Sequence, residues 1–380
     1  MQANRFVDTL HSMHISFVIP TRNRQHELGY TLGQLERLSL DELGGESEVV
    51  IVDNGSDSVM DVPNTLRNGI QVSMVSLGEN IGAGARNIGA EHALGDWVIM
   101  LDDDSNLCTG EVGDYLAGVD AKVAAVGGEI LLPTGQHESG GLPEVVVGCG
   151  CAIRRDAFLD VGGYDVSFGY YAEEYDLCAK LIAAGHSIMH TMAIRFEHRK
   201  CAVGRDMDEI LYRLVRNNGW VIQRHAPDAH RNDALKEMYT RYQQIAINEH
   251  AMAGYRRGCD ELERTIKTQR PVPLSMDEWD RFVGNAALRT SLLKHHQLQQ
   301  ASSVSIVGPA RGKGLGQICS ALESLGCVLD TTNSPESVQV IGTLSPGPML
   351  DAKIEYRDAI SPWMVEDRLI EDSIPLSVHS

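Results

Sequence analysis

The sequence contains no long apolar run, and its first residues lead into no apolar stretch. A membrane-spanning helix needs about 18 or more consecutive apolar residues, and no such window occurs in the 380 residues. Met1 to Arg5 are not followed by the apolar segment of a signal peptide. We therefore expect neither an integral membrane segment nor a cleaved leader.

The sequence also lacks a cysteine pattern that indicates a zinc site. Eight cysteines are scattered along the chain, and the close pair Cys149 and Cys151 lacks the second pair or the neighbouring histidines that a zinc site requires. We expect reduced thiols, mostly buried as small apolar side chains, in a cytoplasmic protein.

An excess of basic charge is absent as well, since the formal net charge is −19 at pH 7. No basic surface is available to neutralise phosphates, which argues against a nucleic-acid partner and against stable docking on anionic lipid. A substrate that carries a diphosphate would be repelled by the same field. A metal ion or local arginines would therefore have to hold it.

The composition is otherwise that of an ordinary globular protein, with 43% hydrophobic and 22% charged residues. A length of 380 residues predicts two or three domains. In the first part of the chain, apolar runs such as 15–20 and 48–53 alternate with segments of helical spacing such as 27–38. This alternation predicts an α/β fold with a mostly parallel sheet and helices on both faces.

Acidic residues follow the most apolar of these runs. Residues 97–101 are all apolar and lead directly into Asp102, Asp103 and Asp104. Such a strand would place the acids at the edge where open α/β sheets bind ligands. The three carboxylates would repel one another unless a cation or solvent lay between them. Taken alone, a solvated acidic turn explains the stretch equally well.

Loops after two other strands should reach the same edge. They carry Thr21 and Arg22 in one case and Asp53 in the other, a convergence typical of nucleotide sites in doubly wound folds. Asp53 would bond a base or a ribose there, although starting a polar turn is its simpler role. Arg86, early on a helix behind a glycine-containing loop, would either reach a phosphate or pair with a surface acid.

Four motifs occur in a fixed order in this part of the chain. They are VIPTRNR at 18–24, VIVDNGS at 50–56, NIGAGARN at 80–87 and LDDD at 101–104. Together they resemble the successive motifs of family 2 glycosyltransferases of the GT-A fold. The similarity extends over about residues 13–225 and does not identify the sugar.

The resemblance implies that these motifs hold a nucleoside-diphosphate sugar donor, UDP- or dTDP-linked. Carried over by motif position, the donor-binding residues are Pro20, Thr21, Arg22, Asn23, Asp53, Asn80, Gly82, Arg86, Asp102, Asp103, Arg199 and Arg205. The last two would supply positive charge that the acidic surface lacks.

The resemblance also implies a divalent cation on the donor diphosphate. The D-x-D carboxylates of the family hold it, and here these are Asp102 and Asp104. Oxygen ligands at a phosphate site fit Mn²⁺ or Mg²⁺, which stabilises the departing nucleoside diphosphate. A histidine near the position of His198 often completes this site in the family, although a lone histidine is more often structural.

The candidate catalytic acids lie at 173–176, at the start of a helix. The helix dipole alone favours acids there by roughly 0.3–1 kcal/mol each. Inverting members of the family carry a Glu-Asp pair at this place, and the aspartate is the general base that deprotonates the acceptor hydroxyl. Glu174 replaces that aspartate. Its longer side chain leaves Glu173 or Asp176 as alternative bases.

The segment between these two sites should contain a loop followed by a strand. Glycine, proline and polar residues over 133–144 predict a loop long enough to cover the site. Residues 145–153 are expected to form the strand.

The remainder of the chain predicts two further parts. Residues 226–302 have helical spacing, and such an extension would shape an acceptor site, form a homodimer or simply pack as helices. Residues 303–380 alternate strands and a helix again, with a Gly312-x-Gly314-x-x-Gln317 loop that lacks the third glycine of the dinucleotide fingerprint. We expect a catalytic domain at 1–225, the helical extension and a small Rossmann-like accessory domain.

The sequence thus predicts an inverting, metal-dependent glycosyltransferase whose acceptor is a hydroxyl on a small molecule or a glycan precursor. Because Glu174 departs from the family pattern, a module that binds a nucleotide sugar without turnover is an alternative. A nucleotidyltransferase is another, since it shares the sheet, the metal and the acidic loops. A dinucleotide enzyme centred on the C-terminal loop is a third.

Overall fold

The first half of the chain builds an eight-stranded sheet. The computed structural model describes residues 15–108, 111–200, 206–332, 334 and 336–365. The elements before residue 200 are, in chain order, β1 (Ile15–Thr21), α1 (Gln25–Leu35), β2 (Ser47–Asp53), β3 (Gln71–Ser76), α2 (Ala85–His92), β4 (Trp97–Met100), β5 (Ser105–Leu107), α3 (Val112–Ala117), β6 (Val123–Leu131), β7 (Cys151–Arg154), α4 (Arg155–Asp160), α5 (Glu173–Ala183) and β8 (Ser187–His198).

The strand order is β3-β2-β1-β4-β7-β6-β8-β5. Strands β3, β2, β1 and β4 are all parallel, β6 runs parallel to β8, and β7 is antiparallel to both of its neighbours. Thr21 pairs in register with Asp53, and Val18 pairs with Met100. The carboxyl ends of β1, β2 and β4 therefore meet at one edge, as the sequence predicts.

Apolar side chains cover both faces of the central strands. On β1, Phe17 and Ile19 pack into one apolar cluster and Val18 into another, because successive side chains of a strand point to opposite faces. All three are fully buried, and burying each stabilises the fold by roughly 1.5–3 kcal/mol. This two-sided burial explains why the strands appear as uninterrupted apolar runs.

Helices follow the sheet and lead to a second, smaller sheet. The helices are α6 (Met207–His225), α7 (Asp228–Asn248), α8 (Met252–Thr265), α9 (Met276–Phe282), α10 (Asn285–Lys294) and α11 (His296–Gln300), and the last elements are β9 (Val304–Val307), α12 (Leu315–Ser324), β10 (Leu329–Asp330), β11 (Val338–Ile341) and α13 (Pro346–Glu355). The small sheet is parallel, with β9 between β10 and β11. The predicted fold class is confirmed.

The C-terminal part docks on the loop that follows β6. Asp351 of α13 pairs with His137 at 2.6 Å, and the Ser345 hydroxyl and the Gly140 carbonyl are hydrogen-bonded. Arg281 of α9 pairs with Glu144, with Nε 2.9 Å from the carboxylate. Residues 137–144 therefore lie under the C-terminal elements.

One predicted strand is wrong over most of its length. Only Cys151–Arg154 pairs in the sheet, whereas Leu142 and Val145 exchange backbone hydrogen bonds within a tight turn. Residues 145–150 are apolar and mostly buried, and they contribute to a cavity described below. Among the described residues, no helix combines the length and the apolar character needed to cross a bilayer.

Candidate active site

The three aspartates after β4 point in different directions. Asp102 pairs with Arg86, Asp103 pairs with Arg24 at 2.6 Å, and Asp104 lies between Arg24 at 2.8 Å and His198 at 3.4 Å. Each carboxylate thus has a cationic neighbour, and Asp103 and Asp104 share Arg24. Mutual repulsion is offset in this way, and the acids are not a freely solvated turn.

Asp103 belongs to the interior of the site. Its Oδ2 atom accepts a hydrogen bond from the Thr21 hydroxyl at 2.9 Å, and 5% of its side chain is exposed. Burial raises the pKa of Asp103 to about 7, although Arg24 and Thr21 oppose the rise. This side chain fastens the acidic loop to β1.

Asp102, Cys149 and His198 form a cluster with the spacing of a metal site. One ligand atom from each lies within 4.8 Å of the other two, and Asp104 also faces the histidine ring. Carboxylates and an imidazole fit Mn²⁺ or Mg²⁺, with nitrogen favouring the former, whereas a thiol is a soft ligand that suits either ion poorly. The residues present therefore fit a divalent cation held by Asp102, Asp104 and His198, with Cys149 beside them.

His198 is oriented by a second carboxylate. Its Nδ1 atom lies 2.9 Å from Glu138 and 3.5 Å from the Cys149 sulfur, which leaves Nε2 to face Asp102 and Asp104. Burial alone would lower the pKa of His198, but Asp104, Cys149 and Glu138 raise it to about 12. Glu138 and Cys149 were not among the residues predicted from the sequence.

Arg86 is buried and holds the first of the aspartates. Its guanidinium donates to Asp102 and to the Leu101 carbonyl at 3.4 Å, so it is not paired with a surface acid. Its Nε atom has no hydrogen-bond partner among the described residues. A buried donor without a partner is costly.

The predicted donor-binding residues divide into two groups around a cavity of about 910 Å³. The residues that line the cavity are Pro20, Thr21, Arg22, Arg86, Asp102 and Asp103. The residues that do not line it are Asn23, Asp53, Asn80, Gly82 and Arg199, and Arg205 lies outside the described residues.

Residues of the second group fix the surrounding loops. The Asp53 carboxylate accepts the Ser56 backbone N–H at 2.9 Å, as a turn-starting aspartate does. Arg199 donates to Thr31 at 2.7 Å and to the Asp103 carbonyl at 3.2 Å, beneath the acidic loop. Gly82 has φ +64° and lies so close to Gly169 that an added Cβ would be 2.2 Å from its carbonyl oxygen.

The acids at the start of α5 have two different surroundings. Glu173 and Glu174 line the cavity, whereas Asp176 contacts His225 at 2.9 Å and Arg224 at 3.1 Å. Burial alone would raise the pKa of Asp176, but His225, Lys180 and Arg224 hold it well below its usual range. Asp176 therefore makes structural contacts and does not line the cavity.

The two glutamates are protonated more readily than exposed carboxylates. Burial raises the pKa of Glu174, whose Oε1 atom accepts the Gly148 N–H at 3.2 Å. Burial and the adjacent Glu174 raise the pKa of Glu173, whose Oε2 atom has no partner among the described residues. Both carboxylates can accept a proton from a group in the cavity.

Two strained residues precede these glutamates. Tyr171 and Ala172 have φ of 73° and 66°, a left-handed conformation that costs of order 1–3 kcal/mol. The buried amide of Asn217 lies 2.9 Å from the Tyr170 carbonyl and 2.7 Å from the Tyr171 carbonyl. α6 therefore fixes the turn that directs Glu173 and Glu174 into the cavity.

The far wall of the cavity comes from outside the predicted catalytic domain. Arg241 and Tyr242 of α7 line it, together with Pro309, Arg311, Gly312 and Lys313 from the loop between β9 and α12. The Lys313 ammonium contacts the Tyr175 hydroxyl and lies 4.2 Å from the centre of that ring. Nothing in the sequence of this loop predicted that it would line the cavity.

Comparison with protein families gives a match in the N-terminal part. Residues 16–134 match the family described as Glycosyl transferase family 2. An uncharacterized glycosyltransferase of Haemophilus influenzae is 25% identical over 194 residues, which cover 44% of this chain and 62% of that protein. The chain thus spans less than two thirds of the length of this relative.

Two solved structures are among those to which this chain is similar. A crystal structure of GalNAc-T7 with UDP, GalNAc and Mn²⁺ has a TM-score of 0.48 and 16% identity, covering 70% of this chain and 59% of that one. A mannosyltransferase from Pyrobaculum calidifontis in complex with GDP-Man and Mn²⁺ has a TM-score of 0.44 and 14% identity, covering 83% of this chain and 87% of the other.

Proposed function

We propose, from the match of residues 16–134 to the family described as Glycosyl transferase family 2, that the chain is an inverting, metal-dependent glycosyltransferase. It transfers a sugar from a nucleoside-diphosphate donor, UDP- or dTDP-linked, to a hydroxyl of a small molecule or a glycan precursor. The observation that carries the proposal is the shared cavity of Asp102, Asp104, His198, Glu173 and Glu174.

Asp102, Asp104 and His198 would hold the divalent cation, Mn²⁺ or Mg²⁺, and His198 would give up its proton to do so. When bound, such an ion stabilises the negative charge that develops on a departing diphosphate. Glu138 keeps the histidine ring in place, and Arg86 does the same for Asp102. The site is therefore supported by residues that need not touch the ion themselves.

The donor nucleotide would lie against the loops after β1 and β2. Pro20, Thr21, Arg22 and Asn54 line this part of the cavity. Asp53 and Asn23 hold the two loops in position, since Asn23 donates to Asp57 at 2.9 Å. We assign them to positioning the loops around the nucleotide.

Glu174 would act as the general base. The acceptor hydroxyl gives its proton to the Glu174 carboxylate while its oxygen forms the bond to the anomeric carbon. The bond from that carbon to the diphosphate oxygen breaks on the opposite face, which inverts the configuration. A carboxylate whose pKa is raised by burial is a stronger base near neutral pH than an exposed one. Glu173 has the same chemistry in the same cavity and is the second choice.

The test measures nucleoside diphosphate released from a panel of nucleotide sugars by the purified protein with Mn²⁺ and an acceptor panel. Native protein should release the diphosphate, and a chelator should stop the release. Pyrophosphate released from a nucleoside triphosphate would indicate a nucleotidyltransferase instead. Donor binding without any release would indicate a binding module.

A substitution tests the assignment of the base. Glu174→Gln should lower transfer by at least about 10²-fold, the usual contribution of a general base, and donor affinity should change little. Glu173→Gln and Asp176→Asn serve as comparisons. If Glu174→Gln transfers sugar at the native rate, the base is another residue.

A further inference from the structure

Three basic side chains from later parts of the chain line the same cavity. They are Arg241 on α7 and Arg311 and Lys313 on the loop between β9 and α12. None lies within the segment that matches the glycosyltransferase family, which ends at residue 134. The C-terminal elements therefore add three cationic side chains to a cavity whose carboxylates, among them Asp102, Asp104 and Glu174, come from earlier parts of the chain.

The two arginines of this basic cluster have no acidic partner. Arg24, Arg86 and Arg224 all pair with carboxylates. Among the described residues, by contrast, neither Arg241 nor Arg311 forms an ion pair. Glu174 and Glu237 act electrostatically on Lys313, but neither forms an ion pair with these two arginines in the described part of the chain. Their charge is available to a ligand.

Lys313 is held in the wall rather than extended into solvent. Its ammonium packs over the Tyr175 ring at 4.2 Å and lies 3.5 Å from the Gly141 carbonyl. Burial and the neighbouring Arg241 lower its pKa to about 7, while Glu174 and Glu237 act in the opposite direction. Anion binding would stabilise the protonated form of such a lysine.

We propose that Arg241, Arg311 and Lys313 bind an anionic group, a phosphate or a carboxylate, on the acceptor of the sugar transfer. This inference rests on the proposed function, because it specifies which acceptors reach Glu174. The position fits that role, since Lys313 contacts Tyr175, the residue next to the proposed base. The accessory domain thereby contributes to acceptor selection, which its incomplete dinucleotide fingerprint would not predict.

Binding of three matched probes tests the proposal. Glycerol 3-phosphate, glycerate and glycerol share a carbon skeleton and differ in charge. Each is titrated into full-length protein saturated with UDP and Mn²⁺, so that the diphosphate position is already filled. At least one anion should bind at least tenfold more tightly than glycerol. Comparison of the two anions distinguishes a phosphate site from a carboxylate site.

The variant Arg241→Ala/Arg311→Ala/Lys313→Met should lose at least tenfold in affinity for the preferred anion. Arg256→Ala, which removes an exposed arginine of α8, is the matched control and should bind like the native protein. UDP binding by the triple variant reports that it is folded. Lys313→Ala, with a single change, provides a second comparison if the triple variant does not fold.

The pH dependence of anion affinity distinguishes binding by the Lys313 ammonium from a general effect of the positive charges. Arginines stay protonated throughout, Tyr175 and Tyr242 have raised pKa values, and a phosphomonoester is already a dianion above pH 7. Glu174 and Glu237 also act on Lys313, but both are retained in Lys313→Arg, so that variant separates their ionisation from that of the lysine. Affinity should therefore fall from pH 7 to 9 as Lys313 loses its proton, and Lys313→Arg should restore it at pH 9. Equal binding of glycerol and both anions, or unchanged anion binding by the triple variant, would overturn this inference. Absence of UDP binding by the native protein would instead count against the proposed glycosyltransferase function.

Discussion

The residues of the acidic loop, Asp102 to Asp104, have different roles. Asp103 is buried and tied to Thr21 and Arg24, so it belongs to the scaffold. Asp102 has 37% of its side chain exposed and faces the cavity. The three carboxylates therefore differ mainly in how much of the side chain is exposed. The direction of the chain after β4 determines which of them faces the cavity.

The partner of His198 provides a prediction at this scale. Glu138→Ala removes the carboxylate that fixes Nδ1 of the ring, so Nε2 is no longer held towards Asp102 and Asp104. Loss of such a supporting partner typically lowers metal affinity 10–100-fold. Titration with Mn²⁺, followed by electron paramagnetic resonance, measures the change.

Two variants accompany that measurement. Glu138→Gln retains an oxygen acceptor and should recover part of the affinity, while Glu46→Ala removes an exposed glutamate and should have no effect. Native Mn²⁺ affinity in Glu138→Ala would show that His198 does not depend on this carboxylate.

The sequence predicts those site residues whose position follows from their neighbours in the chain. Asp102 and Asp104 are predictable because they directly follow a buried strand. Cys149, Glu138 and Lys313 are not, because each reaches the cavity through contacts distant in sequence: Glu138 meets His198 across 60 residues, and Lys313 meets Tyr175 across 138. No periodicity encodes such contacts.

At the scale of elements, the first turn of α5 depends on α6. Asn217 is fully buried, and its amide donates to carbonyls of the segment just before α5. Those bonds compensate for the left-handed backbone of Tyr171 and Ala172. An amide on a neighbouring helix thus determines where Glu173 and Glu174 point.

Asn217→Ala should therefore lower both stability and transfer. Buried carbonyls left without a donor cost roughly 1–3 kcal/mol, which thermal or urea unfolding measures. Transfer per folded molecule should fall as well, because the glutamates are no longer held in one direction. Gln244→Ala, which removes an amide that donates to Asn248 within α7 at 3.1 Å and lies away from the cavity lining, is the control. Equal losses in both variants would contradict a special role for Asn217.

The elements themselves were predictable to different degrees. The parallel strands β1, β2 and β4 are continuous apolar runs because both sheet faces are covered. Residues 145–150 are equally apolar, yet they form a cavity wall: Gly148 packs against Glu174, and Gly150 packs against Ile130 and Phe196. Apolar composition indicates burial in both cases and does not distinguish a strand from a buried loop.

At the scale of the whole molecule, the C-terminal part is joined to β6 and the loop that follows it through an ionic cluster. His137 lies between Glu129 at 2.9 Å and Asp351 at 2.6 Å, and Arg195 also pairs with Glu129. His137 is 6% exposed. Breaking such a pair leaves buried charge uncompensated, which is strongly destabilising. The same docking brings the 309–313 loop to the cavity.

This cluster makes the docking sensitive to pH. Burial alone would lower the pKa of His137, but Glu129 and Asp351 raise it above 6.5. A raised histidine pKa means that the folded protein binds the proton more tightly than the unfolded chain does. The resulting stabilisation is complete below pH 6.5 and is lost as the pH rises through the folded-state pKa. The native protein should therefore lose stability relative to His137→Gln as the solution becomes alkaline.

Thermal unfolding from pH 5.5 to 9 checks this. The difference in Tm between the native protein and His137→Gln should be largest at the acidic end and should shrink steadily towards pH 9. The exposed His296 on α11 supplies the control, since His296→Gln should follow the native curve throughout. A constant difference across the range would mean that His137 contributes through packing alone, and the docking of the C-terminal part would not depend on its charge.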